Sequence, residues 1–124
     1  MIRSHLIDSI VKINNKGLGL VKIQKTKEVF NLMNLLIEEG IIRYKIDSTS
    51  KFYINIDIVY NIIKHVEIVN PVSHVGWKDL KNNKYNIAVE NLVILRTSNG
   101  IMTAEMAIKH KIGGQIVIVL VTKL

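Results

Sequence analysis

The stretch NLVILRTSNGIMTAEMAIKHKIGGQIVIVLV, residues 91–121, predicts most of the secondary structure of the C-terminal half. Its apolar run NLVILRT predicts a β-strand, and the helical spacing of apolar residues that follows predicts a short helix from Thr103 to about His110. Thr103 is a typical N-cap residue for that helix. The final run QIVIVLV, residues 115–121, is apolar on both faces, which is typical of a strand covered on both sides and therefore either central in a sheet or packed between the two halves.

Between the first strand and the helix lies the polar stretch RTSNGIMT, residues 96–103. Its Asn-Gly pair favours a tight turn that presents Ser98 and Asn99 at the tip. Gly100 would allow the backbone to approach a partner closely. The stretch is therefore either a simple turn or a turn that contacts a ligand.

The N-terminal half has a different pattern. A first helix is predicted from an N-cap at Ser4 to a stop at Gly17, and LVKI, residues 20–23, predicts a short strand. A second helix follows from Thr26, with a glycine closing it at Gly40. The helical spacing of its apolar residues places Phe30 and Met33 in the core.

The remaining segments are mostly β. IIRYKI and FYINIDI flank DSTSK, residues 47–51, and predict a hairpin. HVEIV, residues 65–69, predicts another strand that continues into Pro71, and KDLKNNKYN, residues 78–86, predicts a helical turn. The predicted fold is α+β: an N-terminal α-β-α-β-β half, residues 1–60, packed on a mostly β C-terminal half with a short helix, residues 61–124.

Composition restricts the partners. The 124 residues carry a net charge of +7, mostly from lysine, which predicts an anionic partner such as nucleic acid. The chain has no cysteine, so disulfides and thiolate chemistry are excluded. The longest apolar run is far shorter than the roughly 20 residues of a membrane-spanning helix, and no secretory or transit segment is evident, so no membrane partner is expected.

Candidates for catalysis do not assemble in the sequence. The four histidines, at 5, 65, 74 and 110, occupy different predicted elements without ligand spacing, and the ten carboxylates are scattered. KGLGL, residues 16–20, follows a helix, whereas a phosphate-binding loop follows a strand and opens a helix, so it is interpreted as a helix stop. We expect no enzyme activity, metal site, cofactor or small-molecule substrate.

The polar turn and its surroundings carry a specific resemblance. RTSNGIMT followed by HKIGGQIVIVLV resembles the C-terminal signature of the small-subunit ribosomal protein number eight family, a Ser-Thr-Ser-x-Gly-x-Met-Thr loop, a short helix and Gly-Gly-Glu. LIDSIVKINN and TKEVFNLMNLLIEEGII resemble the first two helices of that family. The chain departs from the family pattern at several positions: Arg96 replaces a serine, Gln115 a glutamate and, without gaps, Trp77 a tyrosine. The middle segment VNPVSHVGW, residues 69–77, also lacks the basic and Pro-Gly residues of the family, and the opening of the second helix matches only at Thr26 and Lys27.

The resemblance implies a structural protein that binds the central region of small-subunit ribosomal RNA directly and supports its folding, subunit assembly and translation. It also implies contacts with neighbouring small-subunit ribosomal proteins. Short polar side chains that approach irregular RNA, planar side chains that stack on bases and lysines that meet phosphates fit this role. The predicted RNA-binding residues are Lys12, Asn15, Lys25, Thr26, Lys27, Trp77, Arg96, Thr97, Ser98, Asn99, Gly100, Gly113, Gly114 and Gln115.

Other interpretations remain open at this stage. Asn15 could instead cap the first helix, Trp77 could be half-buried core, and the lysines could form an ordinary solvated face. The alternative function is that of a basic RNA-binding regulator outside the ribosome; a small enzyme of nucleotide chemistry is disfavoured. Frequent Ile, Asn and Lys are typical of A/T-rich coding and predict an organellar ribosome, most readily mitochondrial, with a plastid or an A/T-rich bacterial cytoplasm as alternatives.

Overall fold

The computed structural model describes residues 5–81 and 91–122, except for the side chains of residues 70–73. The chain divides into two compact units, Met1–Ile63 and Lys64–Leu124. The first contains α1 (His5–Lys16), β1 (Gly19–Gln24), α2 (Lys27–Glu38), β2 (Ile42–Thr49) and β3 (Tyr53–Asn61). The second contains β4 (His65–Val75), α3 (Trp77–Lys81), β5 (Asn91–Thr97), β6 (Gly100–Thr103), α4 (Ala104–His110) and β7 (Gly114–Val121). The α+β prediction is confirmed.

The first unit is an antiparallel sheet with strand order β1-β3-β2, contacted by α1 and α2. Alternate residues of β3, including Ile54, Ile56 and Ile58, are buried, because side chains of a strand alternate between its two faces. Both helices bury one apolar stripe, which ends at Ile13 in α1 and at Leu36 in α2. Burial of these stripes is the main force that holds the helices on the sheet.

Both helices of the first unit end at a glycine with left-handed backbone, as the sequence predicts. Gly17 and Gly40 each have φ of +72°. The Gly40 N–H donates to the Ile37 carbonyl at 3.0 Å, and the Ile41 N–H donates to the Leu36 carbonyl at 2.8 Å. This pair of bonds is the Schellman motif, which satisfies the last carbonyls of a helix.

The second unit is an antiparallel sheet with strand order β4-β7-β5-β6. Strand β7 pairs with both β4 and β5, so the predicted central position of the last apolar run is confirmed. One face of this sheet forms a core in which Leu95, Met102 and Ile116 pack together with Leu80 of α3 and Ala107 of α4. The two short helices therefore cover one face of the sheet.

Several local predictions were wrong. Residues 47–49 belong to β2 rather than to the predicted turn, and the chain reverses at residues 50–52, where the Ser50 N–H donates to the Tyr53 carbonyl at 2.8 Å. Strand β4 continues past Pro71 and ends at Val75. Phe30 is 54% exposed rather than buried, although Met33 is in the core.

The stretch predicted as one polar loop is a hairpin. Residues 100–103 form β6, which pairs with β5, and the loop is reduced to residues 98–99. The predicted N-cap is confirmed, because the Thr103 hydroxyl accepts from the Met106 N–H at 3.1 Å. The Ser4 cap and residues 82–86 of the predicted helical turn lie outside the described residues.

Candidate nucleic-acid interface

One end of the sheet in the second unit brings together the candidate residues of the C-terminal strands. In the register of the sheet, Arg96 pairs with Gln115 on one side and with Ile101 on the other, and His74 pairs with Gln115. Directly paired residues share a face, so these four side chains form one row across the sheet. We call residues 96–100 and 113–115 the sheet-end surface.

The hairpin tip of this surface is fixed by its own threonine. The Thr97 hydroxyl donates to the Gly100 carbonyl at 2.7 Å and accepts from the Asn99 N–H at 3.1 Å. Gly100 has φ of +96°, a conformation that glycine adopts without steric cost. The predicted tip at Ser98 and Asn99 is confirmed, and both side chains are exposed.

Ser98 differs from Thr97 in what its hydroxyl does. In the described part of the chain the Ser98 hydroxyl has no hydrogen-bond partner, whereas the single Thr97 hydroxyl proton is already donated. A free hydroxyl both donates and accepts. The loop therefore holds an unused hydroxyl donor and acceptor at its tip, beside the exposed Asn99 amide.

Gly113 precedes β7 and Gly114 begins it, at a point where β7 lies between β4 and β5. A Cβ added at Gly113 would lie 2.6 Å from the Val75 carbonyl oxygen, and one added at Gly114 would lie 2.7 Å from the Arg96 carbonyl oxygen. Real Cβ atoms do not approach oxygen so closely, so the fold itself requires both glycines. Their predicted contact with RNA stays a prediction, while Gln115, which follows them, is exposed.

Trp77 is the first residue of α3 and is half-buried. The Nζ atoms of Lys78 and Lys111 lie 5.7 Å and 5.9 Å from the centroid of its ring. Distances of up to about 6 Å allow a cation–π interaction. The ring is therefore partly packed and partly accessible, with two ammonium groups beside it.

In the first unit, three candidates lie at the start of α2. The Thr26 hydroxyl is the N-cap and accepts from the Val29 N–H at 3.2 Å. Lys25 and Lys27 are exposed, and Lys25 Nζ is 3.4 Å from the Ser50 carbonyl oxygen. A cation at a helix N-terminus is unfavourable for the helix dipole, so these lysines do not serve to stabilise α2.

The two remaining candidates, Lys12 and Asn15, lie on α1 and are exposed. Lys12 Nζ is 3.5 Å from the Lys22 carbonyl oxygen. The alternative role of Asn15 as a helix cap is taken by another residue: the Asn61 amide donates to the Ile13 carbonyl at 3.3 Å and to the Gly17 carbonyl at 3.0 Å.

The chemistry of these residues is that of hydrogen bonding and charge neutralisation. No group of three or more His, Asp or Glu side chains that could hold a metal ion occurs in residues 5–81 and 91–122. No helix within the same ranges has the length and apolar character that crossing a membrane requires.

The contacts of Lys78 and Lys111 with Trp77, and the capping of α1 by Asn61, were not predicted from the sequence. The two lysines are ordinary in sequence, and only the fold places their ammonium groups beside Trp77. Asn61 caps α1 although it lies 48 residues after Ile13 in the chain, and no local sequence pattern predicts a contact at that separation.

An excess of lysine is typical of a small basic protein of the nucleic-acid-binding class. A family model described as Ribosomal protein S8 matches residues 4–121. The chain therefore belongs to the ribosomal protein S8 family and is a small-subunit ribosomal protein. The resemblance predicted from its motifs is confirmed, while comparison with individual curated proteins gave no significant match.

Proposed function

We propose that this protein binds the central region of small-subunit ribosomal RNA directly through the sheet-end surface. The observation that carries the proposal is the exposed Ser98 hydroxyl, which is free of partners in the described chain and stands on a loop that Thr97 holds in place. A loop fixed before binding loses little conformational entropy when it meets its partner. The role is structural: it holds an RNA junction and so supports subunit assembly and translation.

The composition of the sheet-end surface suits irregular RNA. Such RNA displays unpaired base edges and 2′-hydroxyl groups, which short donors and acceptors can reach. Ser98, Asn99 and the Gln115 amide are exposed groups of this type. They would read bases and riboses, whereas lysines meet phosphates and contribute affinity with little sequence information.

The cationic residues of the first unit would supply further phosphate contacts. Lys12, Lys25 and Lys27 are all exposed. Lys25 and Lys27 lie at the N-terminus of α2, where a positive charge does not stabilise the helix. We include them in the proposed interface as contacts that position the protein on RNA. Neighbouring small-subunit proteins are the other proposed partners.

Direct binding is tested by titrating the protein with a transcript of the central region of its cognate ribosomal RNA at several salt concentrations. We expect log affinity to fall linearly with log salt, with a slope of roughly −0.7 to −0.9 for each phosphate contacted. Glutamate substitutions at Lys25 and Lys27 should flatten this slope, while Lys45→Glu, an exposed control on β2, should change it less. Affinity that is indifferent to salt contradicts the electrostatic part of the proposal.

Sedimentation separates the proposed role from that of a regulator outside the ribosome. A ribosomal protein co-sediments with small subunits after washing at moderate salt, and a regulator stays in the light fractions. Fractionation of source cells in the same experiment tests the organellar location, which the A/T-type composition supports.

A further inference from the structure

Helix α4 ends in a motif that usually requires glycine. The Lys111 N–H donates to the Ile108 carbonyl at 3.1 Å, and the Ile112 N–H donates to the Ala107 carbonyl at 2.9 Å. These two bonds form a Schellman motif, and Lys111 occupies its left-handed position with φ of 57° and ψ of 45°. Lys111 is the only non-glycine residue with positive φ in residues 5–81 and 91–122.

At the end of α2 the same motif has glycine, the usual residue, at its left-handed position. Helix α2 ends with the same pair of hydrogen bonds, and the left-handed position there is Gly40, with φ of +72°. A side chain in this conformation places its Cβ too close to the following carbonyl oxygen, which destabilises the folded state. The lysine of α4 therefore has a conformational cost that Gly40 avoids in α2.

The helix dipole does not explain the lysine. A cation near the end of a helix is favourable, but Lys109 and His110 already lie in the last turn of α4. What Lys111 adds is an ammonium group 5.9 Å from the centre of the Trp77 ring, where Lys78 supplies a second one. The strained residue thus concentrates positive charge beside a half-buried aromatic ring.

Trp77 and Lys111 also lie next to the sheet-end surface. A Cβ added at Gly113 would be 2.6 Å from the Val75 carbonyl oxygen and 3.2 Å from the Gly76 Cα atom. The backbone that follows Lys111 therefore runs against the backbone that precedes Trp77.

We propose that Lys111 and Trp77 form a second RNA contact beside the sheet-end surface. The Trp77 ring stacks on an unpaired base, and the ammonium groups of Lys111 and Lys78 neutralise the adjacent phosphates. This contact rests on the proposed function, because it presupposes ribosomal RNA as the partner. It accounts for a lysine at a position where glycine would give a more stable helix end.

The decisive variant is Lys111→Gly, because it should raise the stability of the protein and lower its affinity for RNA. We expect its melting temperature to rise by roughly 3–6 °C, because the left-handed strain is removed. Its affinity for the central-region transcript should fall about fivefold, and the log-log salt slope should lose about one phosphate contact.

Two control variants isolate the effect. Gly40→Lys places a lysine in the matching motif of α2, where an added Cβ meets nothing within 4 Å, so it should lower the melting temperature without weakening RNA binding. Lys109→Ala removes one exposed charge from the last turn of α4 and should weaken binding by less than twofold. Trp77→Leu should weaken binding as Lys111→Gly does.

The outcomes are distinct from those for the proposed function. If Ser98→Ala weakens RNA binding and Lys111→Gly leaves it unchanged, the second contact is refuted and the sheet-end surface stands. Equal losses in Lys111→Gly and Lys109→Ala would also refute it, because they would indicate a general charge effect. If the wild-type protein does not bind the transcript, both proposals fail.

Discussion

Replacing Ser98 by alanine is the sharpest test of whether the hairpin tip contacts RNA. The Ser98 side chain is exposed, and its hydroxyl bonds to no other described residue, so folding should not depend on it. Substitutions at such surface positions change the free energy of unfolding by no more than about 0.5 kcal/mol. The melting temperature of Ser98→Ala should therefore match that of the wild type.

Binding should respond differently. If the Ser98 hydroxyl meets a base edge or a ribose in a closed interface, its removal leaves a desolvated partner unsatisfied, at a cost of about 1–3 kcal/mol. A loss of 1.4 kcal/mol corresponds to a tenfold weaker Kd. We expect about that loss in filter-binding or calorimetric titration with the central-region transcript.

Thr97 cannot serve in the same test. Its hydroxyl makes two hydrogen bonds that hold the loop, so Thr97→Val should lower both stability and affinity. A suitable control is Thr49→Val, which removes an exposed hydroxyl from β2 in the first unit. If Ser98→Ala binds the transcript as tightly as Thr49→Val does, the tip is only a turn and the proposed interface is wrong.

Three further predictions concern the fold. Gly114→Ala should destabilise the protein by about 1–3 kcal/mol in thermal or urea unfolding, because the new Cβ would lie 2.7 Å from a backbone oxygen that has no room to move. Asn61→Ala should cost about 1–2 kcal/mol by the same measurement, since the Ile13 and Gly17 carbonyls lose the Asn61 amide donor and the Ile63 N–H loses its side-chain acceptor; unchanged stability would contradict the capping role. Burial raises the pKa of Tyr44, so folding favours its neutral form, and this contribution is complete below about pH 10 and declines as the pH rises further. Urea unfolding at pH 9–11 should show a smaller alkaline loss of stability for Tyr44→Phe than for the wild type.

Much of the architecture was predictable because local chemistry and global fold agree. Glycines at positions 17 and 40 stop helices by adopting left-handed backbone, and the doubly apolar run at 115–121 could only be a covered strand. The errors arose where tertiary contacts override local pattern. Phe30, for example, has the spacing of a core residue but is 54% exposed, and Ser48 and Thr49, which are turn-like in sequence, continue β2 by pairing with β3.

The residues that make up the candidate site were predictable from the sequence, but the structural role of each residue was not. The motif identified residues 96–100 and 113–115 together, and the register of the second sheet does bring them to one end. The sequence could not show that Thr97 is occupied with the loop or that Gly114 is needed for strand packing, because both facts depend on atoms of neighbouring strands. Lys111 was missed since lysine is not a residue that predicts left-handed backbone.

The central position of β7 has a consequence for the order of events during synthesis. Strands β4 and β5 do not pair with each other, because β7 lies between them and pairs with both. Val121 of β7 pairs with His65, which lies more than fifty residues earlier in the chain. The first unit needs nothing beyond Ile63 for its own sheet, so it can fold while the rest of the chain is still being made. The sheet end that we propose to bind RNA is complete only once β7 has been translated. On the proposed function, a nascent chain would then be unable to present this surface to ribosomal RNA before β7 has emerged and paired.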